Sequence, residues 1–193
     1  MIGFIKNLVG GIALISFTVL GGIANSASCP KSGGILKYGV KAEPPTYDMH
    51  GTNSYAVMHF VAQHYSTLLT FNWNKFPKLE GDVADSWNVS SDGLTYTFKL
   101  KKGIKFHDGT PLTSKDVKAT YDRLRNPPEG VISVRKALFS SISGITTPDD
   151  NTVVFKLSSP DAFMLDGFAS PFNAIYSAKD IAKDPKWHLK NIN

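Results

Sequence analysis

Few residues of this chain have the type and spacing that catalysis requires. His107 and Asp108 form the most obvious acid–base pair. Neighbouring side chains on an extended segment point in opposite directions, and Asp108 precedes Gly109 in a dipeptide typical of a tight turn. A turn is therefore the expected role of this pair, and the sequence predicts no catalytic residue.

The other polar clusters lack the geometry of a metal site. His59 and His64 lie five residues apart in a helical pattern, whereas helical ligands of one ion need a separation of three or four residues. Asp82, Asp85 and Asp92 lack the spacing of a Ca²⁺-binding loop, and turn or capping roles explain them better. A nucleophile elbow, a phosphate-binding glycine loop and a zinc spacing are also missing. The sequence predicts no metal and no cofactor.

Aromatic residues offer a different chemistry. Trp73, Trp87 and Tyr96 have rings that can stack on a sugar or a peptide. Trp87 and Tyr96 lie in or beside a strand pattern, where such residues more often belong to the core. Binding by these rings therefore stays an open alternative.

The composition excludes several classes of protein. The 193 residues are 42% hydrophobic and 19% charged, as in an ordinary globular protein of one or two small domains. The net charge is +5, and the lysines are scattered, which argues against nucleic-acid binding. The single cysteine excludes an internal disulfide and a cysteine-rich metal site.

The first 28 residues have the pattern of an export signal. Lys6 precedes an apolar run from Leu8 to Ile23, and small residues follow at 24–28, as a signal peptidase requires. The alternative is a permanent membrane anchor, but the run is shorter than the roughly 20 residues of a span and contains four glycines. We expect residues 1–28 to be a cleaved signal peptide, and hence an exported, periplasmic protein.

Cys29 leaves a second possibility open. A cysteine just after the small residues of a signal sequence can be the acylated first residue of a bacterial lipoprotein. Ser26 stands three residues before it, where lipoprotein signals usually carry Leu or a similar aliphatic residue. Lipid anchoring is therefore the less favoured reading.

The strongest local pattern lies between Gly81 and Leu124. Residues 95–100 alternate bulky and polar side chains, which predicts a strand with one buried face. Asp92-Gly93 and Asp108-Gly109 predict turns. After them, Thr113 and Asp116 form a capping box, and we expect a helix with its apolar face on Val117, Tyr121 and Leu124.

Weaker patterns predict the other elements. Residues 152–157 repeat the pattern of residues 95–100, so we expect the two strands to pair. Residues 35–40 predict a strand inside a sheet covered on both faces. A helix is expected from Thr52 or Asn53 to Leu68, and a short one over residues 134–142.

A stiff loop follows the first of these strands. Residues 41–48 contain Pro44 and Pro45, which remove amide donors and stiffen the backbone. Open α/β sheets place ligand contacts in loops at the carboxyl ends of central strands. A simple connector is an equally good interpretation of the residues alone.

The chain resembles a known family. The residues that carry the resemblance are 84–87, 92–100, 103–113 and 116–117, and the likeness extends from Gly34 to about Asp180. They are similar to the signature region of the family 5 extracellular solute-binding proteins, the peptide- and nickel-type receptors of ABC importers. The resemblance implies an α/β, periplasmic-binding-protein-like (type II) fold of two lobes with the ligand enclosed between them.

The resemblance also implies a division of the chain. Residues 34–50 would be the first part of lobe one, residues 51–168 its additional subdomain, and residues 169–193 an incomplete return into lobe one. The second lobe has no counterpart here, so we expect a truncated or partial product. The positions that match the ligand cleft of the family are Glu43, Pro45, Thr46, Tyr47, Asn53 and Tyr55.

The function implied by the resemblance is non-enzymatic. The protein would be a monomer that captures short peptides and delivers them to the membrane permease of an ABC importer. A nickel-chelate or oligosaccharide receptor is the alternative within the family. Outside this class, a secreted hydrolase and an anchored sensory module are the competing functions.

Overall fold

The computed structural model describes residues 33–35 and 37–193. The predicted signal peptide over residues 1–28 and the candidate lipidation site Cys29 lie outside the described residues. Gly39–Asn193 forms one compact unit. Its helices are α1 (Tyr55–Val61), α2 (Ser114–Arg125), α3 (Met164–Ala169) and α4 (Ala178–Lys183). Its strands are β1 (Leu69–Phe71), β2 (Leu79–Gly81), β3 (Ala84–Val89), β4 (Thr95–Leu100), β5 (Ile142–Asp149) and β6 (Thr152–Leu157).

A four-stranded antiparallel sheet in the order β3-β4-β6-β5 forms the centre of this unit. The prediction that residues 95–100 and 152–157 are paired strands is confirmed, with Tyr96 opposite Phe155. Alternate side chains of β4 are buried, as the period of two requires. Strands β1 and β2 form a separate two-stranded hairpin.

The predicted turns are also present. Gly93 has a φ of +70° and Gly109 a φ of +83°, values that residues with a Cβ rarely adopt. Asp108 Oδ1 accepts a hydrogen bond from the Thr110 amide at 2.9 Å. The Asp108 side chain is therefore occupied in its turn, as expected for a structural role.

Helix α2 has the predicted cap. Thr113 Oγ1 accepts from the Lys115 amide at 3.3 Å, and Asp116 Oδ2 accepts from the Thr113 amide at 2.8 Å. The apolar face of the helix is completely buried against the sheet. Its Tyr121 ring lies 5.1 Å from that of Phe155 and 5.3 Å from that of Phe168. Edge-to-face packing of this kind adds to the hydrophobic stabilisation of the core.

A second, smaller core lies beneath the start of the compact unit. Its buried members are Met49, Val57, Val61, Ala174 and Tyr176. It joins α1 to the residues that follow α3. This core supports the region of the predicted ligand loop.

Three predicted elements differ from the structure. The described residues of 35–40 belong to neither sheet, so the strand predicted there is absent from them. Residues 134–142 form turns and the start of β5, since the Val134 amide is bonded to His50 O at 3.1 Å and Ile142 pairs with Leu157. Strands β1, β2, β3 and β5 were not predicted.

The predicted helix from residue 52 to 68 is shorter than expected. It begins at Tyr55 with Ser54 as the N-cap residue, and neither Thr52 nor Asn53 caps it. It ends at Val61, followed by a 3-10 turn over Ala62–His64. Leu68, the last residue of the predicted helix, is bonded elsewhere: its carbonyl oxygen accepts from the Asp82 amide (3.1 Å) and from the Ala84 amide at the start of β3 (3.0 Å).

Candidate functional site

The predicted ligand loop has a fixed end and an open end. Thr46 Oγ1 and the Tyr47 amide both donate to the carbonyl oxygen of Leu189, at 3.3 and 3.2 Å. The Tyr47 ring stacks on Phe60 with centroids 5.6 Å apart. Glu43 and Pro45 are exposed to solvent. The loop thus presents Glu43 and Pro45 from a firmly attached base.

A buried ion pair anchors this base. Arg123 of α2 donates to both carboxylate oxygens of Asp48, at 2.6 and 3.2 Å, and the two side chains are each 1% exposed. Arg123 also donates to Pro185 O at 3.1 Å. Burial alone would raise the pKa of Asp48, but the hydrogen bonds and charge of Arg123 and the nearby His50 lower it below its ordinary value. The carboxylate is therefore ionised, and its position is determined by a residue 75 positions away.

His50 is hydrogen-bonded to this ion pair as a neutral ring. Its Nδ1 lies 2.9 Å from an Arg123 nitrogen that can only donate, so Nδ1 accepts, and its Nε2 donates to Ala174 O at 2.9 Å. Burial is the main cause that lowers the pKa of His50 to about 4. We call Asp48, His50 and Arg123 the buried node.

An aromatic stack extends the buried node. The Tyr176 ring lies between His50, with centroids 4.2 Å apart, and His188, at 3.7 Å. Tyr176 Oη accepts from the Met49 amide at 2.8 Å. Burial lowers the pKa of His188 to about 3, so both stacked imidazoles are neutral at pH 7. The stack fastens the chain at residues 48–50 to the C-terminal part of the compact unit.

The structure joins Asn53 to a residue that sequence reasoning missed. Asn53 Oδ1 accepts a hydrogen bond from Arg135, whose other terminal nitrogen donates to Thr52 O at 3.1 Å. The guanidinium lies over the Phe172 ring, 4.6 Å from its centroid. A lone arginine in the predicted short helix over residues 134–142 carries no sequence signal for this contact, and only the fold reveals it.

Tyr55, in contrast, has few contacts. It is the first residue of α1 and is 69% exposed, with its ring tilted against His59 at 5.9 Å. Among residues 33–35 and 37–193, no hydrogen bond holds its phenol group. Its predicted contact with a ligand stays a prediction.

The segment 131–134 borders these residues. The Val134 amide donates to His50 O at 3.1 Å, and Ser133 Oγ donates to Leu124 O at 2.6 Å. A Cβ placed on Gly51 would lie 3.3 Å from Ile132 O, which shows how closely the two backbones approach. Ile132 is nevertheless 69% exposed. The candidate site is thus a surface built from residues 43–55 and 131–135.

The other binding candidates from the sequence are the aromatic residues Trp73, Trp87 and Tyr96. Tyr96 is buried in the main core, and Trp87 is half-buried beside it. Trp73 is 90% exposed and borders a cleft of about 250 Å³ with Tyr65 and Phe71.

Among residues 33–35 and 37–193, no three His, Cys, Asp or Glu side chains are grouped so as to hold a metal ion. No helix in this part of the chain has the length and apolar character to cross a membrane.

Comparison with known proteins defines the class. A Brucella ovis protein named "Putative ABC transporter peptide-binding protein" is 34% identical over 191 residues, covering 95% of this chain and 35% of the relative. Glutathione-binding protein GsiB of Escherichia coli O1:K1 is 36% identical over 137 residues, 71% of this chain and 25% of that protein. The chain therefore spans about a quarter to a third of the length of these curated relatives.

The solved structures that are similar to this chain belong to the same class of protein. The structure of AgaA of A. tumefaciens R10 with agropinic acid is similar with a TM-score of 0.68 and 35% identity, over 74% of this chain and 28% of that one. DppA of Helicobacter pylori in complex with the peptide STSA is similar in fold, with a TM-score of 0.65 and 24% identity over 76% of this chain and 32% of that one. The chain has the fold of part of one lobe of a periplasmic binding protein.

The family follows from the sequence match. Residues 78–193 match the family described as bacterial extracellular solute-binding proteins, family 5 Middle. The chain belongs to this family. The resemblance stated from the signature residues is thereby confirmed.

Proposed function

We propose that the chain forms part of a receptor that captures short peptides outside the cytoplasmic membrane and delivers them to the permease of an ABC importer. The observation that carries the proposal is the family match over residues 78–193, together with peptide-binding names among the relatives. The anchored loop at residues 43–47 supports it, because an ordered surface loses little entropy when a ligand binds.

The proposed ligand surface consists of the residues predicted from the resemblance. They are Glu43, Pro45, Thr46, Tyr47, Asn53 and Tyr55. Extended peptides of varied sequence would be held mainly by backbone hydrogen bonds, with water in unused side-chain space. Closure of a second lobe over this surface would shift a hinge equilibrium that the permease recognises.

The proposal includes the predicted organisation of the chain. Residues 1–28 act as an export signal, residues 34–50 and 169–193 belong to lobe one, and residues 51–168 form its additional subdomain. The protein acts as a periplasmic monomer without catalysis. Acylation of Cys29 is the alternative that would anchor it to a membrane, and metabolic palmitate labelling distinguishes the two.

One observation favours a second ligand class. AgaA, whose structure holds agropinic acid, shares 35% identity with this chain, more than the peptide complex of DppA at 24%. A receptor for a small organic acid is therefore the second candidate. It would use the same surface and the same lobe closure.

Isothermal titration tests the peptide proposal. The samples are the chain itself and a chimera in which the Brucella ovis relative supplies the sequence beyond the aligned region. We expect the chimera to bind di- and oligopeptides and the chain alone to bind them weakly, because one lobe provides only part of the contacts. Ni²⁺ chelates, oligosaccharides and agropinic acid are the competing ligands.

Two results would contradict the proposal. A folded chimera that binds one of the competing ligands and no peptide would assign a different substrate. Micromolar peptide binding by the chain alone would show that lobe closure is unnecessary. Circular dichroism of both samples verifies that they are folded.

A further inference from the structure

Arg135 differs from Arg123 and Arg125, because within the described part of the chain only those two arginines have an acidic partner. Arg123 pairs with Asp48 and Arg125 with Asp122, at 2.6 and 2.9 Å. Among residues 33–35 and 37–193, no carboxylate lies within ion-pair distance of Arg135. Its positive charge is therefore not neutralised by the part of the chain that the structure describes.

The guanidinium of Arg135 is nevertheless held in place. Asn53 Oδ1 and Thr52 O accept from its two terminal nitrogens, and the Phe172 ring lies 4.6 Å beneath it. These partners are neutral, and their bonds use two of the five N–H donors of an arginine. Orientation without neutralisation is the arrangement expected of a guanidinium that awaits an anion.

The surroundings of Arg135 strengthen its attraction for an anion. The side chain is half-buried, and burial lowers its pKa, although an arginine stays charged at neutral pH. The nearby imidazole of His50 is neutral, and the charges of Asp48 and Arg123 largely cancel. A partly desolvated charge interacts more strongly with a ligand than a fully hydrated one does.

We infer that Arg135 is a specificity-determining residue that binds a carboxylate group of the captured solute. The inference rests on the proposed function and deepens it, because it requires a ligand with a free carboxylate, such as the C-terminus of a short peptide. The planar guanidinium and the oxygens of a carboxylate match as donor and acceptor pairs. Asn53 acts as the positioning residue for Arg135.

Nuclear magnetic resonance tests this on the full chain. The probes are trialanine and trialanine amide, which differ only in the carboxylate, at millimolar concentration. We expect trialanine to shift the Nε–Hε resonance of Arg135 and the side-chain amide of Asn53. The amide probe should bind roughly tenfold more weakly or worse, the effect of losing charge-assisted hydrogen bonds.

Two variants separate the role of Arg135 from a general effect of charge. Arg135→Gln should remove the preference for the free acid, whereas Arg135→Lys should retain part of it as a point charge. Arg125→Gln is the matched control, because the same charge is lost from an arginine already paired with Asp122. We expect it to leave the preference unchanged.

The outcomes distinguish this inference from the proposed function. Equal binding of acid and amide, or an unchanged preference in Arg135→Gln, would overturn the inference and leave peptide binding intact. Absence of any shift with both probes would overturn the inference and count against peptide binding as well. A preference for the acid that Arg125→Gln also abolishes would overturn the assignment to Arg135.

Discussion

Helix α2 with its sheet and the loop region of residues 43–55 reach their structures by different means. In the region of α2 and its sheet, the cap formed by Thr113 and Asp116 lies within four residues of sequence, and the strand pattern of β4 is visible within six residues. In the second, Asp48 is held by Arg123, 75 positions away. The first region is specified locally, and the second depends on distant partners.

The difference matters for function because the candidate site lies in the second region. A surface anchored by distant contacts moves when α2 or residues 185–189 move. The buried node is the point where these elements meet. Weakening the node should therefore disturb the site more than weakening the local cap.

Arg123→Met is the substitution with the largest expected effect on stability, and it tests whether the buried node anchors the loop region. It leaves the Asp48 carboxylate buried without its partner, which costs about 3–5 kcal/mol of the free energy of unfolding. Urea denaturation measures this loss, and hydrogen exchange should show faster exchange at residues 46–50 than in β4.

Lys118→Met provides the matched control on the same helix. Lys118 pairs with Asp122 across one turn, with both side chains partly exposed, and such pairs contribute about 0.3–0.5 kcal/mol. If Arg123→Met cost no more than Lys118→Met, the buried node would not be the anchor of the loop.

The pH dependence of stability tests the neutral histidines of the loop region. In the unfolded chain, His50 and His188 bind protons near pH 6.5, whereas in the folded protein their pKa values are about 4 and 3. The unfolded state then binds more protons, so stability falls as the pH falls from about 6.5 towards 4. Between pH 7 and 5, we expect a loss of roughly 2 kcal/mol for each histidine.

Urea denaturation at several pH values measures this slope. His50→Gln should reduce the slope in this range by close to one proton, because one titrating group is removed. His59→Gln, an exposed histidine of α1, should leave it unchanged. A slope unaffected by His50→Gln would show that His50 is not held neutral.

Thr113→Ala tests the locally specified region, and it is the substitution with the smallest expected effect on stability. Loss of the N-cap oxygen should cost about 1 kcal/mol. Because the cap is local, hydrogen exchange at residues 46–50 should stay as it is in the native protein.

Lys115→Ala serves as the control for the cap, since an exposed change in the same turn should alter stability by less than about 0.5 kcal/mol. Equal effects of Thr113→Ala and Lys115→Ala would contradict the capping assignment. Faster exchange at residues 46–50 in Thr113→Ala would break the distinction between the two regions.

The failed predictions share a physical cause. Residues 35–40 have the composition of a strand, but a strand needs a neighbouring backbone, and composition does not supply one. The helix predicted from residue 52 does not reach Leu68, whose carbonyl oxygen instead accepts from the amides of Asp82 and Ala84. In both cases local propensity alone did not decide the structure, because helices and strands form only where the tertiary context supports them.

The sequence by itself determined the paired strands, the turns at Gly93 and Gly109, the capped helix and the family. Each of these depends on residues close together in the chain, where periodicity and turn chemistry leave a visible pattern. Only the tertiary structure decided that Arg123 anchors the loop and that Arg135 meets Asn53, 82 positions away. A contact across that separation depends on how the whole compact unit folds, and it leaves no spacing in the sequence from which it could be predicted.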